Sequence, residues 1–295
     1  MAWIEYFKYK NILFGTKVNF YYIIHYTLNN KLSEVFMKKF TKLLFVFIIT
    51  FSSAYGQTSY TLKYKYNKGD VIKYKTERHD STASTGRGQS MEFKTTTWML
   101  QSLNVKDIND KNQFVLALKT DSVWSDNEQM GKQARRMGRN KVQKVTIDSR
   151  GKSDSENPPQ NLFFLQLPEN PVSVNDEWDY EIHGKTKGRR AGETTVKVHC
   201  MLYGVEKQGK DDVAIIIVNT DSKSTGQFSF KRQDMSVKGT FASSGKGSAL
   251  VYFNITKGII QEIVAENNAE SSTESSAFSS NMISKSKVST KLIAD

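Results

Sequence analysis

One stretch of this 295-residue chain recurs at a shift of 100 residues, and that recurrence constrains the fold more than any other feature. Lys94–Ser122 aligns onto Thr194–Ser222 without a gap. Val105 then meets Val205, Phe114-Val115-Leu116-Ala117-Leu118 meets Ala214-Ile215-Ile216-Ile217-Val218, and Thr120-Asp121-Ser122 meets Thr220-Asp221-Ser222. Upstream, Gly69-Asp70-Val71-Ile72-Lys73-Tyr74 parallels Asn175-Asp176-Glu177-Trp178-Asp179-Tyr180. Downstream, Ile147-Asp148-Ser149-Arg150-Gly151 parallels Phe253-Asn254-Ile255-Thr256-Lys257-Gly258. Features that return in one order at nearly one period read as a tandem duplication, so the fold must be one that two copies of a single unit can build.

Each copy reads as strands. Ile72 and Tyr74, like Trp178 and Tyr180, alternate with Lys73, Lys75, Asp179 and Glu181, a period of two that sorts aromatics and charges onto opposite faces. The run Ile215-Ile216-Ile217 is β-branched throughout, which favours strand over helix. Polar turns at 84–88, 109–112, 187–192 and 208–211 separate the strands. All four prolines, Pro158, Pro159, Pro168 and Pro171, fall in one short connector, where a missing ladder donor does no harm. Helix is expected only in short connectors, such as Asn161–Gln166. The serine-rich stretch Ser271–Ser289 reads as a polar hairpin ending in a strand-like tail, with Lys285, Lys287 and Lys291 guarding an exposed edge. The expected fold is mainly β: a duplicated antiparallel sheet unit forming an open half-barrel or two packed curved sheets, with few short helices. The copies occupy 57–157 and 175–295, joined by the proline-containing connector 158–174.

The first 56 residues are of another kind. Met37-Lys38-Lys39-Phe40-Thr41-Lys42 is a basic lead into Leu43–Phe51, apolar but for Thr50, and Ser52-Ser53-Ala54-Tyr55-Gly56 places small residues before a cut between Gly56 and Gln57. This is the pattern of a cleaved export signal over 37–56, too short to anchor a span. No cysteine follows the cut, so lipid attachment at a new N-terminal cysteine is not expected. Residues 1–36 are rich in Lys, Asn, Ile, Phe and Tyr, and read as an upstream extension of the frame beyond a true start at Met37. The expected protein is therefore periplasmic or secreted, and not a lipoprotein. Of the formal net charge of +12, seven lysines and two acids belong to this leader, so the mature chain is only moderately basic.

Chemistry is sparse in what remains. The single cysteine, Cys200, excludes internal disulfides and cysteine metal cages, and its apolar surroundings suggest a buried, inert thiol. His79, His183 and His199 stand in no metal-ligand spacing, and the neighbours His79-Asp80 and His199-Cys200 point to opposite faces of a strand. No Gly-x-Ser-x-Gly, His-Glu-x-x-His or Gly-x-x-x-x-Gly-Lys-Ser/Thr motif occurs. The expected site is non-catalytic, without cofactor or metal. The sharpest charge cluster, Lys132, Arg135, Arg136, Arg139, Lys141 and Lys144, is a candidate contact for an anionic surface or else a solvated loop. It lacks interleaved aromatics, so nucleic acid is not an expected partner. Trp98, Phe114, Trp178 and Ile216 are candidates to line an apolar cavity.

Three segments together resemble a secreted bacterial family of unknown function: Lys68-Gly69-Asp70-Val71-Ile72-Lys73-Tyr74, Pro168-Glu169-Asn170-Pro171-Val172-Ser173-Val174-Asn175-Asp176-Glu177-Trp178, and Asn254-Ile255-Thr256-Lys257-Gly258. Asn175 and Asn254 stand where that family has Gly and Asp, and both tolerate turn conformations. The motifs are structural and imply no active site. By looser analogy, the architecture is similar to half-barrels that carry lipoproteins or lipids. The leading expectation is thus a binding protein for a hydrophobic ligand, a lipid or another envelope component. The alternatives are a structural or interaction protein of the envelope, and a hydrolase. Oligomeric state is left open.

Overall fold

The computed structural model describes residues 58–295 except 87–88, 129–130, 138–141, 156–161, 187, 189, 233–234, 277 and 294–295. The export signal and the Gly56/Gln57 cut lie outside the described residues. Eleven antiparallel strands follow in chain order: β1 Val71–Gly86, β2 Gln89–Ile108, β3 Phe114–Asn127, β4 Gly131–Met137, β5 Val142–Ile147, β6 Glu177–Thr186, β7 Arg190–Gln208, β8 Asp211–Arg232, β9 Met235–Asn254, β10 Ile259–Ser275 and β11 Ser279–Leu292. Ten of them form one sheet in the order β4-β3-β2-β1-β11-β10-β9-β8-β7-β6, and β5 pairs with β3 alongside β4. The sheet is curved and does not close into a barrel, so of the two expected architectures the open half-barrel is the one adopted. A 3-10 turn at Leu162–Phe164 occupies the expected connector.

The strands are long, up to 22 residues in β8, and among the described residues cover lies over one end of the sheet. At that near end the inward face of the strands carries Tyr74, Leu103, Leu116, Val198, Cys200, Leu202, Ile216, Val218, Val251, Phe253, Ile260 and Ile263, all buried. Two irregular segments lie across this face, 58–67 and 162–172, bringing Leu62, Tyr64, Tyr66, Phe164, Leu165 and Leu167 into the same cluster. They hold each other through an isolated bridge between Tyr60 and Val172.

Turns fix these covers. Gly69 and Asn175 both adopt positive φ, 95° and 75°. In each case the aspartate that follows accepts a backbone N–H three residues upstream, Asn67 N to Asp70 Oδ2 and Ser173 N to Asp176 Oδ2, both 2.7 Å. Two further turns end in Gly151 (φ 84°) and Gly258 (φ 68°). Gly151 is crossed by the connector, so that a Cβ there would stand 2.5 Å from the Leu165 carbonyl oxygen and 2.9 Å from the Tyr64 ring. Gly258 is crossed by Lys65, whose N–H donates to the Gly258 carbonyl at 3.1 Å. Each glycine is thus required twice, by its torsion and by the chain running over it.

Beyond the core the strands continue as a sheet with small or polar side chains on the inward face, among them Ser222, Ser224, Ser243, Gly245, Gly247, Ser271, Ser284 and Ser286. Two Phe–Gly cross-strand pairs stiffen it. Phe241 faces Gly226 and Phe228 faces Gly239 across the β8–β9 ladder, and in each pair the ring fills the space a Cβ would need. Phe278 stacks on Phe228 with ring centroids 6.4 Å apart.

Two expectations are corrected. The polar hairpin forms, as β10 and β11, but β11 is not an edge: it lies between β10 and β1. Its lysines face glutamates on β10, Lys287 to Glu266 and Lys291 to Glu262, each at 2.9 Å, and so neutralise an interior ladder. The basic segment is not one solvated loop either, since its first half forms β4 against β3.

Replacing Gly151 by alanine adds backbone strain to a clash with Leu165 and Tyr64, an expected loss of about 2–4 kcal/mol. At Gly69, where φ is 95° but a Cβ would meet nothing within 4 Å, only the strain is added, about 1–2 kcal/mol. Urea titrations of the two variants give this order; equal losses would show that the cover does not press on Gly151.

Candidate functional site

Side chains fill the near end under the two covers, and beyond them the inward face keeps a hollow of about 280 Å³ lined by Val196, Val218, Thr220, Gly247, Ala249 and Ala265, among others. Tyr64 packs edge-on against Phe253 at 5.5 Å and lies beside Tyr66 at 5.6 Å, while Tyr66 meets Phe114 at 5.2 Å and Tyr74 meets Phe163 at 4.9 Å. The polar tips are satisfied. The Tyr64 hydroxyl donates to the Leu165 carbonyl and the Tyr74 hydroxyl to the Ile260 carbonyl, both at 3.0 Å. Trp178 Nε1–H donates to the Gln166 carbonyl at 2.9 Å, and the Gln166 N–H donates to the Tyr180 hydroxyl at 3.3 Å. Burial drives the phenols of Tyr64, Tyr66, Tyr74 and Tyr180 above the ordinary tyrosine range, so they serve as neutral packing groups.

The four residues proposed to line a cavity do not share one. Phe114 and Ile216 are buried in the packed cluster, and Trp178 packs against it. Trp98 pairs with Glu77 and Trp124 in register, three residues from Gln101, which faces Tyr74, and so projects from the other side of the sheet. The basic residues are divided as well. Lys132, Arg135 and Arg136 fall on β4, Lys144 is exposed on β5 opposite Ala117, and Arg139 and Lys141 lie outside the described residues.

Cys200 is fully buried in the core, while the neighbouring His199 projects outward and holds Asp179 Oδ1 at 2.8 Å through Nδ1. Burial, with a smaller contribution from the Asp179 charge, pushes the thiol up to about 12, which removes the thiolate that nucleophilic chemistry would need. His79 lies on the outward face near Glu77 (3.1 Å) and Thr96 (3.0 Å), whereas Asp80 pairs with Arg78 at 2.8 Å. Among the described residues no group of three or more His, Cys, Asp or Glu side chains is placed to hold a metal ion.

What the sheet does present is its outward face. A depression of about 700 Å³ is lined by His79, Lys94, Asp126, Glu266, Lys285 and Lys287, among others. A second, of about 580 Å³, is lined by Asp179, Glu181, Lys197, His199, Asn219 and Asp221. Both lie on charged rows that run straight across the strands. One row reads Asp126, Thr96, His79, Lys287, Glu266, Ser248, Asn219, His199, Asp179 in register. Sequence reasoning located each charge by its alternation along a strand but missed the rows, because lateral order depends on strand pairing.

No family model matches the chain, and no curated protein matches it. Among solved structures it is similar to Pseudomonas aeruginosa OccK8 (OprE), at 8% identity and a TM-score of 0.27, covering 77% of this chain and 100% of that one. OpdO from the same species gives 8% identity and 0.26, over 76% and 98% of the two chains. An outer membrane channel from Pseudomonas putida F1 gives 9% identity and 0.24, over 78% and 97%.

A thiol reagent added to the native protein at pH 8 is expected to leave Cys200 unmodified, with full reaction once urea unfolds the chain. Stoichiometric labelling of the folded protein would contradict the buried position.

Proposed function

We propose that this chain is an exported, non-catalytic interaction protein of the bacterial envelope, which works by presenting the outward face of its sheet to other macromolecules. Export rests on the Met37–Gly56 pattern, and the envelope assignment on the resemblance carried by the Lys68–Tyr74 and Pro168–Trp178 motifs. The observation that carries the interaction reading is the filling of the near end: Tyr64, Phe163, Leu165 and Leu167 occupy the volume that a carrier of lipid would keep open.

That packing weighs against the hydrophobic-ligand reading that the half-barrel analogy favoured. Besides the small inward hollow of about 280 Å³, it leaves the outward charged rows and depressions, of about 700 and 580 Å³, as the larger surfaces with capacity to bind. A hydrolase would need a nucleophile beside a base. Where a hydroxyl does stand beside a histidine, as Thr96 with His79 at 3.0 Å and Thr195 with His183 at 3.3 Å, the pair lies on the exposed outward face, and His199 with Asp179 has Cys200 on the far side of the strand. Loss of the outward charges is accordingly expected to alter assembly and leave no turnover to lose.

Native mass spectrometry of the protein purified from its own envelope tests this reading. The expected mass is that of a chain beginning at Gln57 with no bound lipid, alone or in a stable protein complex. A stoichiometric co-purified lipid would overturn the proposal and restore the carrier reading.

A further inference from the structure

The outward face of β6–β11 combines an apolar band with charged rows whose signs mirror each other about its centre. The band consists of Met201 and Tyr203 on β7, Ile215 and Ile217 on β8, Leu250 and Tyr252 on β9 and Val264 on β10. Met201, Ile217, Leu250 and Val264 form one continuous cross-strand level. These four side chains are partly exposed, and Tyr203 is 48% exposed. On the outward face of β8 Val213 and Ile215 are already buried, while the level of Met201, Ile217, Leu250 and Val264 stays partly exposed, and the segments 58–67 and 162–172 cover the inward face.

We propose that the occupant of this face is a second copy of this chain, packed sheet to sheet about a two-fold axis that runs parallel to the strands between β8 and β9. This deepens the interaction reading above and rests on it. Such an axis keeps each cross-strand level but reverses strand order, so β8 meets β9, β7 meets β10, and β6 meets β11 of the other chain. In the apolar level Ile217 meets Leu250 and Met201 meets Val264. In the next level Asp179 meets Lys287 and His199 meets Glu266. In the level after that Glu181 meets Lys285 and Asp221 meets Lys246. Further out, His183 meets Ile283, Thr195 meets Glu270 and Lys223 meets Ser244.

No like charges meet in these levels. The pattern also survives the angle of about 30° at which twisted sheets stack. That angle staggers the outer strands by roughly one same-face step, so that Glu177 meets Lys287 and Asp179 meets Lys285 in one sense of stagger, and Glu181 meets Lys287 and His183 meets Lys285 in the other. Six strands about 4.8 Å apart and four same-face levels about 6.8 Å apart mark out roughly 800 Å² per chain, and the curvature of the sheet keeps the part about β8 and β9 in closest contact, which is enough for a modest specific interface. Charge pairing across such an interface sets register and orientation, while the band supplies desolvation.

Sedimentation equilibrium of the exported protein, from low micromolar to about 100 µM, tests the proposal. A monomer–dimer equilibrium that weakens with added salt is expected. Ile217→Lys should raise the dimer Kd at least tenfold with an unchanged circular dichroism spectrum. The charge reversal Asp179→Lys with Glu181→Lys should weaken the dimer similarly, and Lys285→Glu with Lys287→Glu added in the same chain should restore it. That rescue is specific to β6 facing β11, since an edge-to-edge dimer through β6 would not respond to β11. A monomer at every concentration, or a dimer indifferent to these reversals, overturns the proposal. If that monomer still carries a stable foreign chain, the interaction reading survives; if it carries lipid instead, both fall.

Discussion

Tyr64 is the point on which the near end of the structure depends. Its N–H donates to the Ser149 carbonyl at 2.7 Å, its hydroxyl donates to the Leu165 carbonyl, and its ring rests on Gly151 and against Phe253. One side chain thus joins the segment before β1, the turn after β5, the connector before β6 and strand β9. A curved sheet of this length has more inward face than its own side chains can bury. The two covers close it only where apolar strand positions and the glycine turns allow the chain to lie flat. From that closure follow the filled core, the inert Cys200, and the sheet that projects past the core with small side chains inward.

The strands were legible because their signal is local. Alternation at Ile72 and Tyr74 and the β-branched run at Ile215–Ile217 are decided by neighbouring residues, and both lie in strands with Tyr74 and Ile216 buried. The turns were legible for the same reason: Gly69, Asn175, Gly151 and Gly258 all adopt the left-handed torsions that their residue types favour. The paired turn geometry at Asp70 and Asp176 follows the sequence recurrence closely. The covers were not legible. Nothing within 58–67 announces that it will lie over Gly258 and beside Leu165, since those contacts link residues about 100 or more positions apart.

The same distinction explains the corrections. Lysines spaced by two on β11 look like edge protection until β1 and β10 are seen to flank the strand and the acids of β10 to face them. Trp98 looks like a cavity residue until its register places it across the sheet from Tyr74. A single sequence shows which residues share a strand face; strand order decides what they meet. The outward rows, with acids on β6, lysines on β11 and an apolar band between them, exist only in that lateral order.

Amide hydrogen exchange resolved along the strands tests the central claim, that one end of the sheet is closed on its inward face and the rest is a single open layer. Protection depends on how much structure must open to expose each amide. Amides of Val198–Leu202, Ala214–Val218 and Ala249–Phe253 should exchange only through global unfolding. Those of the same strands beyond Ser222 and before Gly245 should exchange at least a hundredfold faster. Uniform protection along β8 and β9 would contradict the account, because it would require a cover over the far half that the two segments do not supply.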